Sequence, residues 1–124
     1  MRVFKTKYFS RWMRKTELTD LALCEAVAEM SSGLIDADLG GGVVKKRVGL
    51  SGRGKRGGAR TLVATNKRTR WFLVFGFEKS ERVNITADEL AALQDIAADL
   101  MGRTSSALDG AVQDGALQEI CHDN

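Results

Sequence analysis

Histidine is nearly absent from this 124-residue chain, and its scarcity excludes several kinds of active site. His122 is the only histidine, and its immediate neighbours are Cys121 and Asp123. A zinc site usually needs three or four converging ligands, and a Ser-His-Asp or Cys-His system needs a histidine as its base. The sequence therefore predicts neither a metal site nor a nucleophilic triad.

Cysteines and long apolar runs are also few. The two cysteines, Cys24 and Cys121, do not make a disulfide framework, and we expect both to be reduced, with Cys24 buried in a helix. Reduced cysteines are typical of the cytosol, so we expect a cytoplasmic protein. The chain holds no run of about 18 apolar residues, which predicts that no segment spans a membrane.

Acidic residues are missing from one long stretch, and the charge of the chain is polarised as a result. No Asp or Glu lies between residues 39 and 77, whereas ten Lys or Arg lie within 45–70. Residues 1–82 hold 18 basic and 8 acidic side chains, and residues 83–124 hold 1 and 8. A basic stretch without neutralising carboxylates attracts a polyanion, so this charge pattern favours a nucleic-acid partner.

Glycine is interspersed with the cations at 45–60, where the sequence reads KKRVGLSGRGKRGGAR. Glycine lets a backbone approach phosphates closely, and this stretch lies between two predicted strands. A disordered basic loop or a nuclear localisation patch is the alternative. Strands at both ends favour a loop that presents its cations at a defined place, and hence contact with nucleic acid.

The same stretch is close to a nucleotide-binding P-loop, but it departs from that motif. Residues 49–56 match the motif at every position but the last, where Arg56 replaces the Ser or Thr that holds magnesium. A P-loop also leads into a helix, whereas Gly57 and Gly58 lead into a predicted strand. We therefore predict no nucleotide and no other cofactor.

Residue periodicity predicts an α+β fold, with a small antiparallel sheet packed against helices. The strands are predicted at 3–5, 43–48, 60–65 and 71–77. The last of these is almost wholly apolar, which is typical of a central strand covered on both faces. A late edge strand is predicted at 117–121.

Three helices are predicted from apolar spacing and capping signals. The first covers 7–14, with its aromatic residues in the core, and the second runs from Thr19 to Gly33. The third begins at Thr86, where Thr-Ala-Asp-Glu is a capping box. We divide the chain into a domain at 1–104 and an acidic tail at 105–124.

Three blocks of sequence, in this order, carry a resemblance to a known family. They are DLGGGVVKKR at 38–47, GKRGGAR at 54–60 and FGFEKSERVNI at 75–85, and the capped helix follows them. The chain resembles toxins of the RelE/ParE superfamily of type II toxin–antitoxin systems, most closely the HigB-like branch related to RelE. The resemblance covers nearly the whole chain and implies a RelE-like fold of the microbial-ribonuclease type.

The resemblance also implies an activity and partners. The toxin would be a metal-independent endoribonuclease that inhibits translation by ribosome-dependent cleavage of mRNA. Attack of the RNA 2′-hydroxyl on the adjacent phosphate would leave a 2′,3′-cyclic phosphate, so the enzyme needs no nucleophile of its own. The expected partners are mRNA, the ribosome and a neutralising helix-turn-helix antitoxin, and DNA would be bound only through the antitoxin complex.

In this family the working residues are lysines and arginines of the sheet. By motif, the catalytic positions are Lys45, Arg47, Arg60, Lys79 and Arg82. The remaining cations of the basic stretch are predicted to bind RNA: Lys46, Arg53, Lys55, Arg56, Lys67, Arg68 and Arg70. Without a suitable histidine, a lysine would serve as base and arginines would stabilise the charge that develops on the phosphate.

Two other functions are compatible with the same residues. One is a ParE-like toxin that inhibits DNA gyrase without nuclease activity. The other is a nucleic-acid-binding module without catalysis. Gyrase-dependent DNA damage with intact mRNA would support the first, and salt-dependent binding with neither effect would support the second.

Overall fold

The structure is a computed structural model that describes the backbone of residues 1–50 and 54–122, with the side chains of all of these except 54–57. The elements occur in the order β1 (Arg2–Thr6), α1 (Lys7–Met13), α2 (Asp20–Ser31), β2 (Ala37–Gly40), β3 (Val43–Leu50), β4 (Gly54–Thr65), β5 (Arg70–Glu78), α3 (Ala87–Met101), α4 (Ser105–Gln113) and β6 (Leu117–Ile120). The predicted α+β class is confirmed.

The strands form one six-stranded sheet in the order β2-β3-β4-β5-β1-β6. Strands β3, β4 and β5 are the antiparallel meander that the sequence predicts. Strand β1 pairs in parallel with β5, and β6 pairs antiparallel with β1 at the sheet edge. The apolar strand β5 therefore lies inside the sheet, as predicted for 71–77.

Helices cover both faces of the sheet, and each face has its own core. Under α1 and α2, the core contains apolar residues such as Phe9, Leu23 and Trp71. Under α3 and α4, it contains a second set that includes Leu62 and Leu93. Because successive residues of a strand face opposite sides, neighbouring residues of β5 contribute to different cores.

A threonine caps the N-terminus of every helix in the described part of the chain. The side chain of Thr19 accepts from the Ala22 N–H, and Thr86 forms the complete capping box that the sequence predicts. Thr6 and Thr104 cap α1 and α4 in the same way. Each cap satisfies a backbone donor of the first turn that has no partner within its helix.

The C-terminal segment packs against the sheet through α4 and β6. The predicted strand near 117–121 is present as β6, whereas α4 was not predicted. The Arg2 guanidinium donates to both Glu119 carboxylate oxygens at 3.0 and 2.9 Å and to Asp109 at 2.7 Å. These bonds join β1 to both C-terminal elements.

Three further expectations differ from the structure. Strand β4 begins at Gly54, six residues before the predicted start, and β2 was not predicted. Tyr8 is 57% exposed and does not belong to the core, although Phe9 is fully buried. The aromatic spacing correctly predicted the helix. Only one side of the short helix α1 packs on the sheet, so Tyr8 on another side is exposed.

The prediction of two reduced cysteines is wrong, because the structure joins Cys24 to Cys121 in a disulfide. The two residues are 97 positions apart, so no sequence pattern relates them. The sheet brings them together, since α2 packs on the face where β6 ends. The expectation of a cytosolic location was based on reduced cysteines, and the disulfide removes that basis.

In the described ranges, none of the helices has the length and apolar character needed to cross a bilayer.

Candidate active site

A cationic cleft opens over β3 and β4, on the sheet face that α3 partly covers. Its volume is about 540 Å³. Its lining residues are Asp36, Ala37, Lys45, Arg47, Arg60, Lys79 and Val83. Four of the five residues predicted to be catalytic, two lysines and two arginines, are thus brought together. Arg82, the fifth, does not line the cleft.

Strand periodicity explains why these cations meet. Val43, Lys45 and Arg47 alternate along β3 and so share one face of the sheet. Val43 packs in the core under α3, which identifies that face. Arg60 and Leu62 occupy the same face of β4, again with the apolar residue beneath the helix. Beyond the edge of α3, the face therefore changes from apolar to cationic.

Arg47 and Arg60 are direct cross-strand partners at the centre of this surface. Like charges opposite each other on a sheet repel, so this pair costs stability when the cleft is empty. The Arg60 guanidinium also donates to the Gly58 carbonyl at 3.4 Å. The pair concentrates positive charge at one place, which suits a bound phosphate.

Asp36 is a cleft residue that sequence reasoning missed. Its carboxylate Oδ2 accepts from the Arg47 N–H at 2.6 Å, and its own N–H donates to the Lys45 carbonyl at 3.1 Å. Both bonds are to the backbone of β3, so they hold Asp36 at the cleft margin. In the sequence, Asp36 lies two residues before the DLGGGVVKKR block. No strand was predicted there, so its proximity to the block was the only signal.

Arg82 anchors the loop after β5 and lies outside the cleft. Its guanidinium forms an ion pair with Glu89 at the start of α3 and donates to the Asn84 carbonyl at 3.1 Å. It also lies over the Phe75 and Phe77 rings, 5.9 and 5.6 Å from their centroids. These contacts fix the loop that carries Lys79 and Val83 into the cleft.

Glu89 belongs to two interactions at once. It pairs with Arg82, and it accepts from the Thr86 N–H at 2.8 Å as part of the capping box. The hydrogen bond from Arg82 is the main cause that lowers the pKa of Glu89 to about 2, and the Thr86 backbone adds to it. The same contact raises the pKa of Arg82. Glu89 is therefore ionised at neutral pH and ties the loop to α3.

Lys46 faces the opposite side of the sheet from its neighbours Lys45 and Arg47. Its side chain is 5% exposed, pairs with Glu29 of α2 at 2.8 Å and donates to the Leu34 carbonyl at 2.8 Å. The structure therefore places Lys46 beneath α2, away from any RNA that enters the cleft. The period of two along a strand was a signal that could have separated it from the other cations.

The cations of the turn between β4 and β5 lie at the far end of β4 from Arg60. Lys67 pairs with Asp38, and this ammonium, followed by the Gly40 N–H, lowers the pKa of Asp38. Arg70 donates to the Arg103 carbonyl at 2.6 Å and to the Met101 carbonyl at 3.4 Å, where α3 ends. Arg68 is exposed in the turn. None of these three predicted RNA-binding residues lines the cleft.

The remaining predicted residues come from the glycine-rich stretch. Lys55 and Arg56 lie on the backbone of β4, and their side chains are outside the described part of the structure. Arg53 lies outside the described residues altogether. The cleft is therefore defined by side chains of β3, β4 and the two segments on either side of them.

Comparison with known proteins identifies a family for the chain. The family model described as the RelE toxin of the RelE/RelB toxin–antitoxin system matches residues 1–120, a range that includes every strand and helix of the described structure. No curated protein matches the chain. A toxin of such a system has an antitoxin as its partner. The chain belongs to the RelE family of toxins from toxin–antitoxin systems.

Proposed function

We propose that this toxin inhibits translation by cutting mRNA in the ribosome, and that it acts in the cytoplasm. The observation that carries the proposal is the meeting of Lys45, Arg47, Arg60 and Lys79 around one open cleft. Four cations in one cleft can bind a phosphate and stabilise the additional negative charge of its transition state. The HigB-like branch of the family stays a prediction.

The proposed reaction uses the nucleophile of the RNA itself. The 2′-oxygen loses its proton to a base and attacks the adjacent phosphorus, and the bond from phosphorus to the 5′-oxygen breaks. The leaving 5′-oxygen takes a proton from water, so that a cyclic phosphate and a 5′-hydroxyl result. Arg60 lies on a strand, so its guanidinium starts from a rigid base and can align two donors with two phosphate oxygens. Arg47 and the two lysines contribute charge around the same group.

The 2′-hydroxyl must lose a proton, and the cleft contains two kinds of acceptor. Asp36 accepts a proton in its ionised state, whereas Lys45 and Lys79 must first be neutral. The hydrogen bond to the Arg47 backbone holds the Asp36 carboxylate at the margin of the cleft. The pH dependence of variants at these positions separates the two mechanisms.

Arg82 has a different proposed part in the reaction. Because its guanidinium is engaged by Glu89 and the aromatic rings, we assign it to positioning the loop that bears Lys79. Arg68, Lys55, Arg56 and Arg53 would attract the RNA backbone over a longer range. The contacts of Lys46, Lys67 and Arg70 support structural roles within the protein.

A helix-turn-helix antitoxin is the proposed partner, and DNA would be bound through that complex. Acidic residues of the antitoxin would cover the cationic cleft or displace a segment beside it. Complementary charge accelerates association and makes the rate sensitive to ionic strength. An association rate that does not change with salt would contradict this electrostatic part of the proposal.

The decisive experiment is expression of the toxin without its antitoxin, followed by primer extension on cellular mRNA. We expect growth arrest and new 5′ ends within translated regions. Arg60→Ala, expressed at the same soluble level, is the matched control and should give far fewer new 5′ ends. Normal growth with wild-type toxin would refute the proposal, and intact mRNA with gyrase-dependent DNA breaks would assign the ParE-like function instead.

A further inference from the structure

Tyr8 and Phe75 form an exposed aromatic stack outside the cationic cleft. Their ring centroids are 5.8 Å apart, and the two planes are inclined by only 7°. The two rings are therefore parallel and offset, and Phe75 covers part of one face of the Tyr8 ring. Since Tyr8 is 57% exposed, much of its side chain remains open to solvent.

An apolar groove adjoins this stack. It has a volume of about 280 Å³ and lies between the start of α1, strand β5 and helix α3. Its lining residues are Thr6, Tyr8, Val74, Phe75, Leu93 and Ile96, and the surface that they present is apolar. A flat ring that stacks here covers apolar surface, so no donor or acceptor of the groove is left unpaired.

The stack is continuous with the cleft through one pair of strands. Phe75 lies opposite Leu62 and Phe77 lies opposite Arg60. Two residues of a strand span about 7 Å, so the aromatic stack and Arg60 lie within reach of a single extended RNA chain. Arg82 lies over both phenylalanine rings between the two sites, with its guanidinium paired to Glu89.

We propose that Tyr8 and Phe75 form a stacking subsite for an unpaired base of the RNA whose phosphate is held in the cleft. This inference rests on the proposed function. Every base has a π-face, and aromatic platforms beside cationic grooves are a general way of holding single-stranded RNA. Because the groove is apolar, the subsite holds a base by stacking and does not select its identity.

The adjoining cationic cleft favours RNA over a protein segment as the occupant. Glu89 neutralises the Arg82 that flanks the stack, so the attraction for an anion comes from the adjoining cleft, which Lys45, Arg47, Arg60 and Lys79 line. A strand of RNA places a phosphate and a base in alternation, which matches a cationic cleft next to an aromatic surface. A helical peptide would instead need an apolar groove along several turns of its length.

The test uses a short RNA with 2′-O-methyl groups throughout, which removes the attacking hydroxyl, and with 2-aminopurine at several positions. Stacking quenches 2-aminopurine fluorescence. The full-length toxin is titrated into this RNA, free and as the message on purified ribosomes. Tyr8→Phe keeps the ring and Tyr8→Leu removes it. Leu21→Ala, at an exposed apolar residue of α2, is the matched control.

We expect quenching by wild type, Tyr8→Phe and Leu21→Ala, and its loss with Tyr8→Leu. Tyr8→Leu should bind the RNA about tenfold more weakly, the usual effect of losing one stacked base. The salt dependence of binding should not change, because no phosphate contact is removed.

Equal quenching by Tyr8→Leu and wild type would overturn the subsite, as would absence of quenching by wild type in both formats. Weaker antitoxin binding by Tyr8→Leu, with RNA quenching unchanged, would assign the groove to protein docking and would also overturn the subsite.

Cleavage of unmodified mRNA by wild type is measured in parallel. If wild type cleaves normally and quenching fails, only the subsite is refuted. If quenching depends on the ring and no cleavage occurs, only the proposed function is refuted.

Discussion

Arg47 of β3 and Arg60 of β4 lie directly opposite each other in the sheet, and both side chains line the same cleft. Cross-strand neighbours are close enough for like charges to destabilise a sheet. The backbone of Arg47 is held by Asp36, but that carboxylate lies at the cleft margin. A bound phosphate would relieve the repulsion, so this pair links the stability of the empty toxin to its capacity for anion binding.

Replacing Arg47 with glutamine should therefore stabilise the fold while weakening function. We expect the free energy of unfolding in urea to rise by a few tenths to about 1 kcal/mol at low salt, because cross-strand repulsion is removed. The gain should shrink at high salt, where screening already weakens the repulsion. Arg68→Gln, at an exposed turn, is the control and should give no such gain. An equal gain at both positions would mean that only net charge matters.

Arg60 should contribute to the rate of cleavage, whereas Arg53 should contribute to binding. Removal of one preorganised donor to the transition state costs on the order of 3 kcal/mol, which is a loss of about a hundredfold in rate. We expect Arg60→Ala to show this loss at saturating ribosome concentration. Arg53→Ala should recover its rate as substrate is raised. If the cleavage rates of both variants recover as substrate is raised, Arg60 only binds phosphate and does not stabilise the transition state.

Asp36 and the cleft lysines can be separated by the pH dependence of cleavage. A general base typically contributes about a hundredfold to ten-thousandfold to the rate. If Asp36 is the base, Asp36→Asn should lose activity by such a factor and should also lose the acidic limb of the pH–rate profile. Lys45→Met should keep that limb while its overall rate falls. If Lys45 is the base, the two pH profiles are reversed, and if Lys79 is the base, both variants keep the acidic limb.

The ion pair between Glu89 and Arg82 should make the fold sensitive to acid. The pKa of Glu89 falls from 4.5 to about 2 on folding, so its contribution to stability is complete above pH 4.5. That contribution is lost as the pH falls through 4.5 towards 2. Glu89→Gln keeps a side chain that can cap α3 but removes the charge. The variant should show a weaker loss of stability across this pH window in urea unfolding.

Asp88→Asn provides the control for that measurement, since it changes the neighbouring carboxylate of the same helical turn. It should leave the acid dependence as in wild type. Cleavage by Glu89→Gln should also fall, because the loop that bears Lys79 loses its tie to α3. Unchanged acid sensitivity in Glu89→Gln would show that other carboxylates dominate.

The disulfide between Cys24 and Cys121 should stabilise the oxidised protein. A bond across 97 residues restricts the unfolded chain, and such bonds typically contribute about 2–4 kcal/mol. We expect reductant to lower the free energy of unfolding by about this amount, and the Cys24→Ser/Cys121→Ser variant to be insensitive to it. Equal stability with and without reductant would contradict the prediction. Alkylation of protein in fresh lysate measures which form occurs in cells.

Local signals in the sequence predicted most of the elements. Thr19 and Thr86 were identified as caps because a cap depends on residues within one helical turn. Strand β5 was identified from its apolar run, and the basic strand from its composition. Helix α4 was missed because a polar sequence with a glycine at 110 obscures its apolar face, although Thr104 is the same cap signal.

The sequence by itself determined the fold class, the basic character of one sheet face and the family resemblance, because each depends on composition or on spacing along the chain. The tertiary structure decided which cations meet. Register places Arg47 beside Arg60, and pleating turns Lys46 away under α2. Packing of α1 leaves Tyr8 stacked on Phe75. These relationships join positions far apart in sequence, and only pairing and packing of the whole sheet specify them.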